Sequence, residues 1–290
     1  MYPADFEYHA PATLDEAVAL LSAHKDDAKL LAGGHSLLPM MKLRFAQPRH
    51  LVDVRRIPGL SEIRAEADAI AIGARVTHRM VERSELIARR LPMLSEAAAM
   101  IGDPAVRNRG TMGGSLAHAD PAADLPAVML ALDADLRAVG PKGTRLIPAE
   151  NFFLSLLTTA LEPTEVLSEV RIPLPSVRSG GAYEKRRHPA SRFAIVGVAA
   201  LVELDAKGVV SAARVAVTGL GSKASRATKT EQALVGRKPD EAELDAAARQ
   251  VADGIELHDD RQGPAAYRAH LATVYATRAL RRAVERARAS

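Results

Sequence analysis

The residues Ala32-Gly33-Gly34-His35-Ser36-Leu37-Leu38-Pro39 lie between a run fit for a buried strand, Lys29 to Ala32, and one or two prospective helical turns, Leu37 to Arg44. Eighty residues on, Gly110-Thr111-Met112-Gly113-Gly114-Ser115-Leu116-Ala117-His118-Ala119-Asp120-Pro121-Ala122-Ala123-Asp124 uses the same device with more polar groups. Paired glycines let a backbone turn through positive φ and approach a ligand closely, and Ser36 with the N–H groups that open the next turn supplies phosphate donors. Neither loop is the G-x-G-x-x-G fingerprint, and no Walker lysine pattern occurs. Alone, the first loop reads equally as a turn without a ligand. In the second, three glycines, two hydroxyls and two carboxylates suit a polar ligand with ribose or phosphate groups. His118, Asp120 and Asp124 suggest a metal site less well, because Pro121 interrupts any helix that would align the two carboxylates. No metal is expected here. Taken together, two such loops fit a dinucleotide held across two subdomains, and FAD better than a mononucleotide.

Outward from these loops the chain reads as α+β. Phe6 to His9 is a short extended stretch, and Thr13 with Glu16 has the spacing of a reciprocal capping box opening a helix. With the strand Leu51 to Val54 this makes a β-α-β start of about fifty residues. Glu62 to Ala65 and Ala69 to Ile72 are strand candidates, and helices are expected from His78 and over Leu94 to Met100. Ile172-Pro173-Leu174-Pro175 is an extended connection that helix cannot continue, and marks the main domain boundary. Beyond it, Phe193 to Leu204 and Val209 to Thr218 suit two antiparallel strands turned through Lys207-Gly208. Helices are expected over Glu241 to Asp253 and Ala265 to Ala289. In the last helix Arg278, Arg281, Arg282, Arg286 and Arg288 lie opposite Leu271, Val274 and Leu280, the pattern of a solvated face on a packed helix.

Composition narrows the chemistry. The 290 residues contain no Cys and no Trp, so disulfides, thiolate zinc sites, a catalytic thiol and Cys-ligated iron–sulfur clusters are excluded from this chain. Any redox work falls to an organic carrier. The longest apolar run, Ala194 to Val202, is far short of the roughly 20 residues that cross a bilayer. Met1 to Asp5 lacks the basic and apolar regions of a signal peptide, so a cytoplasmic location is expected. The net charge of +4 sets nine Lys and thirty Arg against 35 Asp and Glu, and the ten scattered aromatics make no stacking platform for nucleic acid.

The two loops, with Ala117-His118-Ala119-Asp120-Pro121-Ala122-Ala123-Asp124, closely resemble the FAD-binding medium subunits of the molybdenum hydroxylase (xanthine dehydrogenase) family, especially the carbon monoxide dehydrogenase type. The resemblance spans the whole chain, including the Ala182-Tyr183-Glu184-Lys185 strand. It implies a two-subdomain PCMH-type (vanillyl-alcohol oxidase-like) FAD-binding domain over residues 1–176, with subdomains of about 1–55 and 56–176. A smaller α+β C-terminal domain would occupy 177–290. It further implies a small subunit with two [2Fe-2S] clusters, a large molybdenum-cofactor subunit, a dimer of heterotrimers, and NAD, a quinone or oxygen as electron acceptor. Two other functions stay open: a stand-alone flavin oxidoreductase, and a nucleotide-binding scaffold without redox work.

For individual residues the resemblance places Ala32, Gly33, Gly34, His35, Ser36 and Leu37, with Thr111, Gly113, Gly114 and Ser115, on the pyrophosphate and ribityl chain. Ala117, His118 and Asp120 belong to the same binding segment. Asp124 would bind adenosine or ribityl hydroxyls, Leu167 would contact a ring and Ile101 would lie near the isoalloxazine. Lys185 would reach the flavin's polar edge, and Phe193 would cover the flavin where the acceptor approaches. Two departures from the family pattern stand out: Ser115 replaces a common asparagine, and Phe193 a frequent tyrosine.

Overall fold

The computed structural model describes residues 2–259 and 263–290. Its first layer is a three-stranded parallel sheet in the order β1-β3-β2, built from β1 (Glu7–His9), β2 (Ala28–Leu31) and β3 (His50–Asp53). Helix α1 (Leu14–His24) covers one face, and α2 (Leu37–Lys42) follows β2. Thr13 caps α1 by accepting from the Glu16 N–H at 3.1 Å. The Glu16 carboxylate reaches back one residue further than a capping box requires, to the Ala12 N–H at 2.7 Å. Ala17, Val18 and Leu21 of α1 pack on Ala28, Val52 and Val54, the apolar stripe that the 3.6-residue period supplies.

A five-stranded antiparallel sheet follows in the order β4-β5-β10-β6-β7: β4 (Ile63–Ala65), β5 (Ala69–Gly73), β6 (Asp135–Gly140), β7 (Gly143–Pro148) and β10 (Val166–Pro173), with a small hairpin, β8 (Phe153–Ser155) and β9 (Thr158–Thr159), between β7 and β10. Seven helices are threaded between these strands: α3 (His78–Arg83), α4 (Glu85–Arg90), α5 (Pro92–Met100), α6 (Pro104–Arg109), α7 (Met112–His118), α8 (Asp124–Ala131) and α9 (Ala149–Phe152). All eight residues of α8 are buried, so this helix runs through the core.

The third layer is a four-stranded antiparallel sheet, β11 (Ser179–Arg187), β12 (Ala194–Leu204), β13 (Val210–Thr218) and β14 (Ser225–Arg226), with α10 (Thr228–Leu234), α11 (Glu241–Ala248) and α12 (Ala265–Ala289). Ala272, Ala276, Ala279 and Ala283 repeat at helical spacing and let α12 lie close on the sheet. Two expectations change here. The helix expected over Glu241 to Asp253 stops at Ala248, and Phe193 precedes its strand and is exposed.

The arginines of α12 also depart from a solvated face. Arg281 pairs with Glu241 and Asp245, Arg282 with Glu96 and Glu184, and Arg286 with Glu96 and the Gly181 carbonyl. Arg288 donates to the Pro239 carbonyl, and Arg278 lies 5.0 Å over the Tyr275 ring. Acidic partners from α5, β11 and α11 converge on this helix, which no single-helix pattern can reveal. Among the described residues no helix is long and apolar enough to cross a membrane.

Candidate functional site

The first glycine loop leaves the carboxyl end of β2, an end of a parallel sheet that commonly carries ligands. Gly34 adopts φ +75°, which an L side chain resists. The carbonyls of Gly34 and Ser36 accept from Leu38 and Met40 and start α2. Among the described residues, the N–H groups of Gly34, His35, Ser36 and Leu37 donate to no protein acceptor. Four donors in succession, with paired carbonyls beneath them, form a concave surface for an anion.

The second loop is built differently. Met112 and Gly113 donate to the carbonyls of Val76 and Ala74, and Gly114 donates to the Oγ1 of Thr111 at 3.1 Å. Ser115 donates to the Thr111 carbonyl, so these four N–H groups are all engaged. A Cβ on Gly113 would stand 2.5 Å from the Ala74 Cβ and 2.9 Å from that residue's backbone. One on Gly33 would collide with the Arg109 carbonyl. These two glycines therefore serve close approach of chain to chain, not of chain to ligand. Gly114, Ser115, Ala117 and His118 remain accessible on one side of α7 and form a low wall.

After Pro121 the chain is tied to the third sheet. The Oγ1 of Thr218 lies 2.6 Å from the Pro121 carbonyl and 2.8 Å from that of Ala123, and Ala194 donates to Ala122. Asp124 then opens α8 at a buried position. The Tyr183 hydroxyl donates to it at 2.5 Å, and the Lys185 ammonium lies 2.8 Å from the carboxylate and 3.2 Å from the Met100 carbonyl. Burial pushes the Asp124 carboxyl up from its ordinary range, against the pull of Lys185 and Tyr183. Burial, with the Asp124 charge beside it, holds the Tyr183 phenol well above its usual value.

A cleft of about 560 Å³ connects these parts. Of the eighteen site residues expected from sequence, seventeen line it; Lys185, 1% exposed at its side chain, does not. Both glycine loops reach the cleft, as do Ile101, Asp120, Asp124 and Leu167. Phe193 stands at its rim, 44% exposed, beside Arg192, which donates to the Gly102 carbonyl.

Sequence reasoning missed Arg75, His78 and Leu161, which also line the cleft. Arg75 follows the carboxyl end of β5 and donates to the Arg55 carbonyl at 2.6 Å. Among the described residues no carboxylate lies within ion-pair distance of it, and burial lowers its pKa from the ordinary arginine value. The signal was the turn Gly73-Ala74-Arg75 closing a strand. His78 is buried, its Nδ1 has no hydrogen-bond partner, and burial brings its pKa down to about 4, helped by Arg107 and His35. It is a neutral wall residue at pH 7.

The donor set suits FAD. Consecutive free N–H groups and a guanidinium without a carboxylate partner among the described residues match a pyrophosphate, the low wall of α7 leaves room for a sugar chain, and Ile101, Leu161 and Leu167 offer apolar surface for a ring. The comparisons agree. Residues 4–175 match the model of the FAD binding domain in molybdopterin dehydrogenase, and residues 181–283 match the CO dehydrogenase flavoprotein C-terminal domain. The chain belongs to the FAD-binding medium subunits of the molybdenum hydroxylases.

Among these medium subunits, the carbon monoxide dehydrogenase medium chain of Hydrogenophaga pseudoflava is 44% identical over 280 residues, 97% of each chain. The 6-hydroxypseudooxynicotine dehydrogenase complex subunit alpha of Paenarthrobacter nicotinovorans is 41% identical over 290 residues, 99% of this chain and 97% of that one. A solved carbon monoxide dehydrogenase from Hydrogenophaga pseudoflava superposes with a TM-score of 0.95 at 45% identity, covering 99% of both chains. This medium subunit is thus part of an FAD-dependent oxidoreductase of the dehydrogenase class.

Proposed function

We propose that this subunit takes electrons from [2Fe-2S] clusters of a partner and passes them through FAD to an external acceptor: NAD, a quinone or oxygen. The observation that carries this is the division of the cleft: one loop presents free anion donors, while its acids are already committed to structural partners. Asp124 is held by Lys185 and Tyr183, Asp120 accepts from the Ala122 N–H, and Glu165 pairs with Arg145. Such a site holds a dinucleotide, and none of these three carboxylates is free to act as a base on an organic substrate. The similar chains named for carbon monoxide and for 6-hydroxypseudooxynicotine support a substrate bound elsewhere in the complex.

In this reading residues 1–176 hold FAD between subdomains 1–55 and 56–176, and 177–290 close the site. Gly34 to Leu37 bind the pyrophosphate through their N–H groups, and Arg75 balances its charge. Ile101 and Leu167 exclude water from a ring, and Phe193 covers the rim where an acceptor arrives. Lys185 acts on the site through Asp124, fixing that carboxylate rather than facing the cleft. When bound, the flavin supplies the means to take electrons singly and release them in pairs. The molybdenum cofactor and the clusters would reside in a large and a small partner subunit, in a cytoplasmic dimer of heterotrimers.

The test is titration of the purified chain with FAD, followed by reduction under anaerobic conditions. Saturable FAD binding, with flavin reduction only by a reduced [2Fe-2S] partner, is expected. Reduction by an organic substrate with the chain alone would make it a stand-alone flavoenzyme. ADP-ribose bound as tightly as FAD would make it a nucleotide-binding scaffold.

A further inference from the structure

On the three-stranded sheet, at residues that do not line the cleft, three imidazoles meet. His50 opens β3 and pairs in register with Glu7 of β1, so both point to the same face; His9, two residues beyond Glu7, shares it. His24 ends α1, the helix covering that face. The His24 and His50 rings stack with centroids 3.5 Å apart, and the His9 ring lies 5.3 Å from that of His50 and 5.6 Å from that of His24. One ring nitrogen from each of the three lies within 4.8 Å of the others.

Hydrogen bonding links two of these rings. The Nε2 of His9 lies 3.1 Å from the Nδ1 of His50. One of these nitrogens donates and the other accepts, so at least one of the two rings carries a lone pair directed at its neighbour. The Glu7 Oε2 adds a negative oxygen 3.5 Å from the His50 Nδ1 and 3.9 Å from the His9 Nε2. Neutral imidazoles with one carboxylate are the ligand chemistry of zinc-class divalent ions. Zinc–nitrogen bonds of about 2.0–2.1 Å place tetrahedral ligand atoms about 3.4 Å apart, so His9 and His50 already stand near that separation. His24 needs a shift of at most about 1.5 Å, within reach of a side-chain rotation in a half-buried position.

We propose that His9, His24 and His50, with Glu7, form a binding site for one divalent ion of the zinc class, clamping the last turn of α1 to β1 and β3. This site is separate from the flavin cleft, shares no residue with it, and does not depend on the electron-transfer reading.

The full chain, prepared without a polyhistidine tag and stripped with a chelator, is titrated with zinc chloride by calorimetry. One ion per chain is expected, with a rise in melting temperature on zinc addition. Cobalt(II) is expected to give visible d–d bands. His50→Gln and His24→Gln should each weaken zinc binding by at least about tenfold, and the exposed Glu7→Gln by a smaller factor. FAD affinity should stay at the wild-type value in all three, which also reports that they fold. Absence of saturable zinc uptake by the wild-type chain would overturn the site. So would unchanged zinc affinity in the folded histidine variants. Should the histidine variants fail to fold, Glu7→Gln and the cobalt spectrum of the wild type decide by the same criteria.

Discussion

The first glycine loop leaves the N–H groups from Gly34 to Leu37 without protein acceptors, whereas every N–H from Met112 to Ser115 has one. The sequences Gly33-Gly34-His35-Ser36 and Gly113-Gly114-Ser115 differ little in kind, yet one loop is poised for a ligand and the other is consumed in holding it up. What separates them is the neighbouring backbone. Segment 74–76 passes directly under the second loop and takes the Met112 and Gly113 donors, whereas the Arg109–Gly110 backbone that meets the first loop at Gly33 takes none of the donors from Gly34 to Leu37. A glycine pair therefore reports a close approach, and only the neighbours decide whether ligand or protein does the approaching.

That contrast can be attacked where it predicts most. Asp124→Asn, in the region behind the second loop, leaves the Lys185 ammonium buried without its counter-charge. It should lower stability by about 3–5 kcal/mol, read as a shift in urea midpoint. A variant with the wild-type midpoint would show that the pair is not a support. His78, also on the structural side, titrates near 6.5 when unfolded and at about 4 when folded. The unfolded chain thus binds the extra proton, and the stabilising contribution, full above pH 6.5, declines as pH falls toward 4. The loss amounts to roughly 3 kcal/mol. Denaturation curves between pH 7 and 4 should show this slope in the wild type and lose it in His78→Phe.

The sharpest comparison is a crossed pair. Gly113→Val drives a side chain into Ala74 and should cost about 1–3 kcal/mol of stability. Molecules that still fold should keep FAD affinity within a few-fold. Gly34→Val, at positive φ and facing the side-chain ends of Leu38 and Leu31, should cost about 1–2 kcal/mol and weaken FAD by at least about tenfold. Equal ratios of stability loss to affinity loss in the two variants would erase the distinction. The smallest effect is expected from Ser115→Asn on the accessible side of α7. An added amide should tighten FAD by a few-fold, on the order of 0.5–1 kcal/mol, in an equilibrium titration.

Much of this was legible in the residues. Thr13 announced α1, the β-α-β start appeared as a parallel sheet, and the two loops meet in one cleft as their spacing suggested. Features carried by one short segment were readable because local rules govern them. Features assembled from distant segments were not. Arg75 is an ordinary arginine until the fold brings the end of β5 to the cleft. His9, His24 and His50 are scattered over forty-one positions and meet only through strand register. The arginines of α12 looked like a solvated face because their partners, Glu96, Glu184 and Asp245, lie on three other elements.

The attachment of α12 bears on what fastens the cleft from behind. Arg282 and Arg286 grip Glu96 of α5, whose final residue, Met100, accepts the Lys185 ammonium at its carbonyl. Ser191 to Phe193, which border the cleft, lead into β12, a strand that α12 covers. Both glycine loops lie outside this clasp, so a variant cut before Ala265 keeps the loops and loses the fastening behind the cleft, and should fail to retain flavin through gel filtration.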